Sequence, residues 1–240
     1  MSIAEKLQTI AENEQRVYEA GKTQGETIGR KSQYDEFWDG IMDKGNRTQL
    51  QYAFSYWYDT IFYPKYDLVA VNAVGIFSGC KVVNLKQRLI DCGVVLDTSA
   101  ATNLSNTFAY STYLTHIPTI DARSATMLGS IFYNNQKMVE VEKIILSDSG
   151  NTTFVDAFRQ CYALESITIE GVIGNSINLQ WSTKLSKASI TSIINALSAT
   201  KSGQTATFSK TAVETAFGST TSTEWLALVA TKSNWTISLA

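Results

Sequence analysis

Four acidic residues could do chemistry if the fold gathered them: Asp97, Asp121, Asp148 and Glu170, each closing a short run rich in β-branched residues. Carboxylates set side by side repel. Either backbone N–H groups at the following turn cap them, a common use of Asp at such a position, or a hard cation such as Ca²⁺ sits between them. Capping is the favoured expectation, and the cation stays open. A carboxylate pair could also serve glycoside hydrolysis, but an acid that recurs with a repeat points to structure instead of catalysis.

Other chemistry finds less support. The single histidine, His116, lies inside an apolar ladder and is expected to turn toward solvent at the start of a strand, which argues against a nucleophile–imidazole pair. Cys and His are not clustered as zinc requires, so no metal site and no cofactor are expected. Gly171 to Gly174 lack the lysine and third glycine of a phosphate loop and are expected to form a turn. The three cysteines cannot all pair; Cys80 and Cys161 share one ladder slot with Ser111 and Asn135 and are read as small buried side chains.

The elements that would position these residues come from a repeat. Asp97-x-x-x-Ala101-Thr102-x-Leu104-x-x-x-Phe108 recurs 24 residues later as Asp121-x-x-x-Ala125-Thr126-x-Leu128-x-x-x-Phe132. A weaker copy follows at Phe154-x-x-x-Phe158. Each repeat Phe opens a ladder with a three-residue step: Phe108, Ser111, Leu114, Ile117; Phe132, Asn135, Met138, Val141; Phe158, Cys161, Leu164, Ile167. An earlier ladder, Phe77, Cys80, Val83, breaks off at a short helical insertion from Asn84 to Asp91. A period of this size implies units that cannot bury their apolar faces alone and must stack. The expected fold class is an α/β repeat: a solenoid with a narrow parallel sheet, an N-terminal helical stalk and an α+β C-terminal cap.

Four regions follow. Residues 1–32 read as one helix and a possible coiled coil, with a seam through Ile3, Leu7, Ile10, Val17, Gly21 and Ile28 expected to mediate oligomerisation. Residues 33–69 are crowded with aromatic side chains, suited to cap the first coil. Residues 70–181 form the repeat array. Residues 182–240 lose the period and are expected to close its end with helices at Ile190–Leu197 and roughly 211–231 and strands near Phe208 and Ile237.

At 240 residues, net charge −2 and pI near 5.5, the chain lacks the basic footprint a phosphate backbone needs, so no nucleic-acid partner is expected. No run approaches the roughly 18 apolar residues of a membrane span, so no membrane insertion is expected. The charged opening Met-Ser-Ile-Ala-Glu-Lys is expected to carry no export signal.

The ladder Phe-x-x-[Cys/Ser/Asn]-x-x-[Leu/Met/Val]-x-x-[Ile/Val] resembles the BspA-like class of leucine-rich repeats, over about residues 70 to 180. The opening Ile3-Ala4-Glu5-Lys6-Leu7, with Tyr18-Glu19-Ala20-Gly21 and Tyr34-Asp35-Glu36-Phe37-Trp38, is similar to proteins encoded by phages and prophages of gut Firmicutes. The Ile-Gly pair that commonly precedes the Phe is met only in part, by Gly75 and Gly129. The resemblance implies binding or scaffolding and brings no catalytic residue.

In such folds partners meet the sheet face, which singles out the outward positions Thr119, Lys143, Thr168, Glu170, Asn178 and Gln180. The implied function is a non-enzymatic virion fibre or decoration component made in the bacterial cytoplasm. It would be held through its N-terminal helix to other virion proteins or to itself, as in a homotrimer, and would attach to a host-surface protein or glycan. A bacterial cell-surface adhesin is the first alternative and a glycan-active enzyme the second.

Overall fold

The computed structural model describes residues 53–55, 57, 64 and 67–240. The expected helix over 1–32, with Ile3, Leu7, Ile10, Val17, Gly21 and Ile28, lies outside the described residues, as does most of the aromatic segment 33–69.

Five phenylalanines form a column. The rings of Phe54, Phe77, Phe108, Phe132 and Phe158 follow one another at centroid distances of 5.4, 5.6, 5.7 and 5.4 Å. The Phe77 and Phe108 rings are parallel to within 2°. All five are buried, and Trp57 stands edge-on to Phe54 at 5.4 Å. Offset stacks of this kind add to the burial of each ring.

Local backbone conformation explains how the chain turns around each ring. Residues two before and two after the Phe adopt positive φ in each of four layers: Gly75 and Gly79, Asn106 and Tyr110, Ser130 and Asn134, Asp156 and Gln160. A non-glycine residue there costs about 1–2 kcal/mol. Hydrogen bonds between layers offset that cost. In the Phe108 layer, Asn106, Phe108 and Tyr110 donate their N–H groups to the carbonyls of Gly129, Ile131 and Tyr133 at 3.0, 2.9 and 2.7 Å. The Phe132 layer repeats the arrangement, donating to Val155, Ala157 and Arg159 at 2.8, 3.0 and 2.9 Å.

The polar ladder slot also has a backbone role. Ser111 Oγ donates to the Phe77 carbonyl at 2.7 Å and Cys161 Sγ to that of Phe132 at 3.1 Å, while Asn135 Oδ1 accepts the Ser111 N–H at 2.9 Å. Burial pushes the Cys161 thiol up to about 12. The Phe77 ladder fails at Val83, which is exposed because Asn84 next to it caps helix α1 (Leu85–Cys92).

The expected solenoid with one narrow sheet is corrected by the pairing. Among the described residues the parallel strands form small sheets of two, four and three strands, accompanied by four helices, and do not close into a solenoid. In the first sheet β1 (Leu68–Val69) pairs with β2 (Leu96–Asp97). In the second, β3 (His116–Ile117) and β4 (Ile120–Ala122) lie along one side of β5 (Glu140–Leu146), and β6 (Ser166–Glu170) along the other. In the third, β7 (Ile177–Leu179), β8 (Gln204–Phe208) and β9 (Trp235–Leu239) run in that order.

Each break has a physical cause. The α1 insertion separates Asn84, bridged to His116, from β2, so that β2 meets β4 through the Thr98 hydroxyl donating to the Asp121 carbonyl at 2.9 Å. Pro118 lacks an N–H and parts β3 from β4. Helix α2 (Lys187–Ala196) closes the far side of β6: the Ser189 and Ser192 hydroxyls accept the Ile167 and Ile169 N–H groups at 3.0 and 2.9 Å. Residues 171–174 then carry the chain to β7 by close backbone approach. A Cβ on Gly171 would lie 2.1 Å from the Leu146 carbonyl oxygen, and one on Gly174 the same distance from that of Gly150.

The C-terminal region is likewise corrected. Its parallel sheet starts at β7, before Ser182, and strands alternate with helices, which makes it α/β in place of the expected α+β. The single helix expected over 211–231 is two, α3 (Lys210–Phe217) and α4 (Thr223–Ala230), because Gly218 ends α3 at φ 79° and the Ser222 hydroxyl caps α4. Ser186 and Ser209 cap α2 and α3 in the same way.

Candidate functional site

The insertion that interrupts the stack also builds a groove. Helix α1 and the following Val94–Asp97 segment rise beside β4 and β5 and enclose about 470 Å³. Asn84 caps α1 by accepting the Gln87 N–H, and Gly93 ends it at φ 67°, so the helix is two turns long. Leu85 and Leu89 anchor it in the core. Ile90 and Val95 stay 61% and 57% exposed and form the apolar wall of the groove.

The opposite wall is charged and internally paired. Lys86 of α1 reaches Glu140 Oε1 at 3.2 Å and Glu142 Oε1 at 3.1 Å, two residues on one face of β5. Glu142 Oε2 accepts the Thr119 N–H at 3.1 Å and the Thr119 hydroxyl at 3.0 Å. Thr119 thus spends on a side chain the backbone donor that would otherwise continue the strand. Burial pushes the Glu142 carboxyl up, but the hydrogen bonds from Lys86 and Thr119 outweigh it and hold the group below its ordinary value. The Lys86 ammonium is raised, first by its hydrogen bond to Glu142 and against burial. Glu142 is therefore a fixed anion, which is the opposite of what a general acid at neutral pH requires.

His116 joins this network at its edge, with Nε2 3.8 Å from Glu140 Oε2 and Nδ1 2.9 Å from the Thr115 hydroxyl. Half-buried on β3, it faces a carboxylate instead of turning freely to solvent.

The acidic column is broken. Asp121 and Glu170 are both in register with Ile145, and Asp148 lies beyond the end of β5. Asp97 Oδ1 caps the Ser99 N–H at 2.9 Å, and Asp121 Oδ1 caps that of Arg123 at 3.1 Å while its carboxylate is gripped by the Arg123 guanidinium. The Arg123 hydrogen bond holds the Asp121 carboxyl below its ordinary value, against burial. Glu170 is paired with Lys143 at 2.9 Å. Among the described residues no three His, Cys, Asp or Glu side chains are arranged to hold a metal ion.

The six outward positions lie in or next to strands of two sheets, with Thr119 between β3 and β4 and Gln180 just past the end of β7. Thr119, Lys143, Thr168 and Glu170 share the exposed face of the β3–β6 sheet, where Lys143 and Glu170 engage each other. Asn178 sits on β7 in register with Thr207 of β8, and its side chain caps the Gln180 N–H at 3.0 Å. Thr119 alone among the six lines the groove. Ile90 and Val95 were not singled out by the sequence, although the broken Phe77 ladder marked the place where they arise.

A further row of side chains escaped sequence analysis. Tyr110 and Tyr133 meet edge to face at 5.1 Å, and the Arg159 guanidinium lies 5.7 Å from the Tyr133 ring centre and 5.6 Å from that of Trp181. In a parallel row Lys137 Nζ lies 5.0 Å over the Tyr113 ring. Tyr110 stands two residues after Phe108 and Tyr133 one residue after Phe132, so no constant offset marked the row in the sequence. In comparisons with known proteins, no family model, no curated protein and no solved structure matches this chain.

Proposed function

We propose that the protein is a non-enzymatic binding and structural component of a phage particle, presenting its stacked layers to a host surface. Inward side chains in the layers are committed to the Phe column and its ladders. Outward positions can vary without disturbing that stack, which suits a display scaffold. At the groove Lys86 pairs with Glu140 and Glu142, and Glu142 is held below its ordinary value, the opposite of the raised acid that hydrolysis of a glycan would require. The phage setting follows from the resemblance of the repeat ladder and the N-terminal motifs.

The observation that carries the proposal is the groove beside α1, an insertion that leaves two large aliphatic side chains exposed at the mouth of a concave surface. Exposed apolar groups around a cleft mark contact sites. The test is adhesion of the fluorescently labelled full chain to cells of gut Firmicutes, compared with Ile90→Asp and Val95→Asp. Adhesion of the native chain, weakened in both variants at unchanged melting temperature, is expected. Equal adhesion by all three proteins, or none by the native chain, would overturn the proposal.

A further inference from the structure

We propose that the row Tyr110–Tyr133–Arg159–Trp181, with the flanking pair Tyr113 and Lys137, is a second binding surface, and that it takes an anionic glycan. This deepens the host-attachment proposal, on which it rests for its setting, by naming a partner class and a face away from the groove.

The fold places these residues in line. Tyr110 donates its N–H to the Tyr133 carbonyl, and Asn134 donates to that of Arg159, so the three side chains rise from adjacent rungs of the same ladder. Tyr113 and Lys137 each stand five residues after their layer's Phe and are stacked for the same reason. The layer spacing is that of neighbouring strands, about 4.8 Å. The row is thus a continuous track of rings and cations across successive layers, matched to an extended polymer and not to a compact ligand.

Ring exposure shows that folding leaves Tyr110 and Tyr113 available, while Tyr133 and Trp181 are half-buried. Tyr110 and Tyr113 are 51% and 48% exposed, although each flanks a fully buried Phe column. A tyrosine ring offers an apolar face with a hydroxyl at its rim, which suits the alternating C–H faces and hydroxyls of a sugar. Both cations lie within the roughly 6 Å at which ring faces hold them, and their positive charge remains available at the surface. Among the described residues Arg159 is ion-paired with Asp156, at a loose 3.7 Å, which leaves its planar fork open to a carboxylate. The combination selects a sugar polymer bearing acidic groups over a neutral one. A single-stranded nucleic acid would also stack on rings, and the oligonucleotide arm of the test separates it from the glycan.

The probe is an oligogalacturonate, titrated calorimetrically into the full chain beside its carboxyl-reduced, neutral form and a single-stranded oligonucleotide of equal charge. Binding of the oligogalacturonate is expected, with the reduced form weaker. Tyr110→Ala and Arg159→Gln should each weaken it by roughly three- to thirtyfold, whereas Tyr110→Phe should retain it and Ile90→Asp should leave it unchanged. No binding of the oligogalacturonate, equal binding of the reduced form, tighter binding of the oligonucleotide, or unchanged binding by the Ala and Gln variants would overturn the inference. Groove-dependent cell adhesion is measured separately, so failure here is distinguishable from failure of the attachment proposal.

Discussion

The Ser189 hydroxyl occupies the place of a neighbouring strand opposite Ile167: it accepts the Ile167 N–H at 3.0 Å and donates to the Glu165 carbonyl at 3.0 Å. Ser192, one turn further along α2, does the same for the Ile169 N–H. Two hydroxyls on one helical face thus terminate the four-stranded sheet and cover an edge that would otherwise be open to other strands.

Removing these hydroxyls should therefore cost more than their size suggests. Ser189→Ala leaves the Ile167 N–H without its partner inside the protein, a loss of about 1–3 kcal/mol. Urea denaturation should show that drop, and amide exchange should accelerate at Ile167 and Ile169 in the double variant with Ser192→Ala.

The Phe column should respond as a core. Phe132 touches Phe108 at 5.7 Å and Phe158 at 5.4 Å, so Phe132→Ala is expected to cost about 3–5 kcal/mol. Phe132→Leu, which keeps most of the volume, should cost about 1.5 kcal/mol or less. Thermal denaturation of the two variants checks the order.

Glycines separate into two kinds. A Cβ at Gly174 would meet the Gly150 carbonyl oxygen at 2.1 Å, and one at Gly171 would meet that of Leu146 at 2.1 Å with φ at +88°. Each Ala substitution at these sites should destabilise by roughly 2–4 kcal/mol. Gly93 also has positive φ but open space around it, so Gly93→Ala should cost only about 1–2 kcal/mol. Denaturation midpoints of the three variants decide between backbone crowding and backbone conformation.

Acid should selectively release Asp121. Its folded pKa is depressed, first by the Arg123 hydrogen bond, so its contribution is present above the unfolded value of about 3.9 and is lost as pH falls through the lower, folded value. Asp121→Asn should lower the melting temperature at pH near 7, and the difference should vanish on acidification well below about 3.9. A constant difference at every pH would show that the charge is irrelevant.

How much of this was legible in the sequence depends on the range over which each feature is specified. The ladders from Phe108, Phe132 and Phe158 could be read because each inward position recurs at a nearly constant offset, and those side chains are buried. The sheet breaks could not, because they depend on hydroxyls of Ser189 and Ser192 meeting donors more than twenty residues away, with no periodic trace. Asp148 misled for a related reason: it resembles Asp121 in its local run, but Ile145 takes the register position. The groove was half visible, since the break after Val83 announced an insertion while nothing local placed Lys86 between Glu140 and Glu142, more than fifty residues on.

The rings of successive layers form one column, which frees the outer face for binding. Ring-to-ring nuclear Overhauser effects in a sample with selectively protonated Phe test this most directly. Phe108 should show cross-peaks to both Phe77 and Phe132, and none to Phe158. Cross-peaks from Phe108 to Phe158, or none to Phe77 and Phe132, would contradict the stacked column and the display surface built on it.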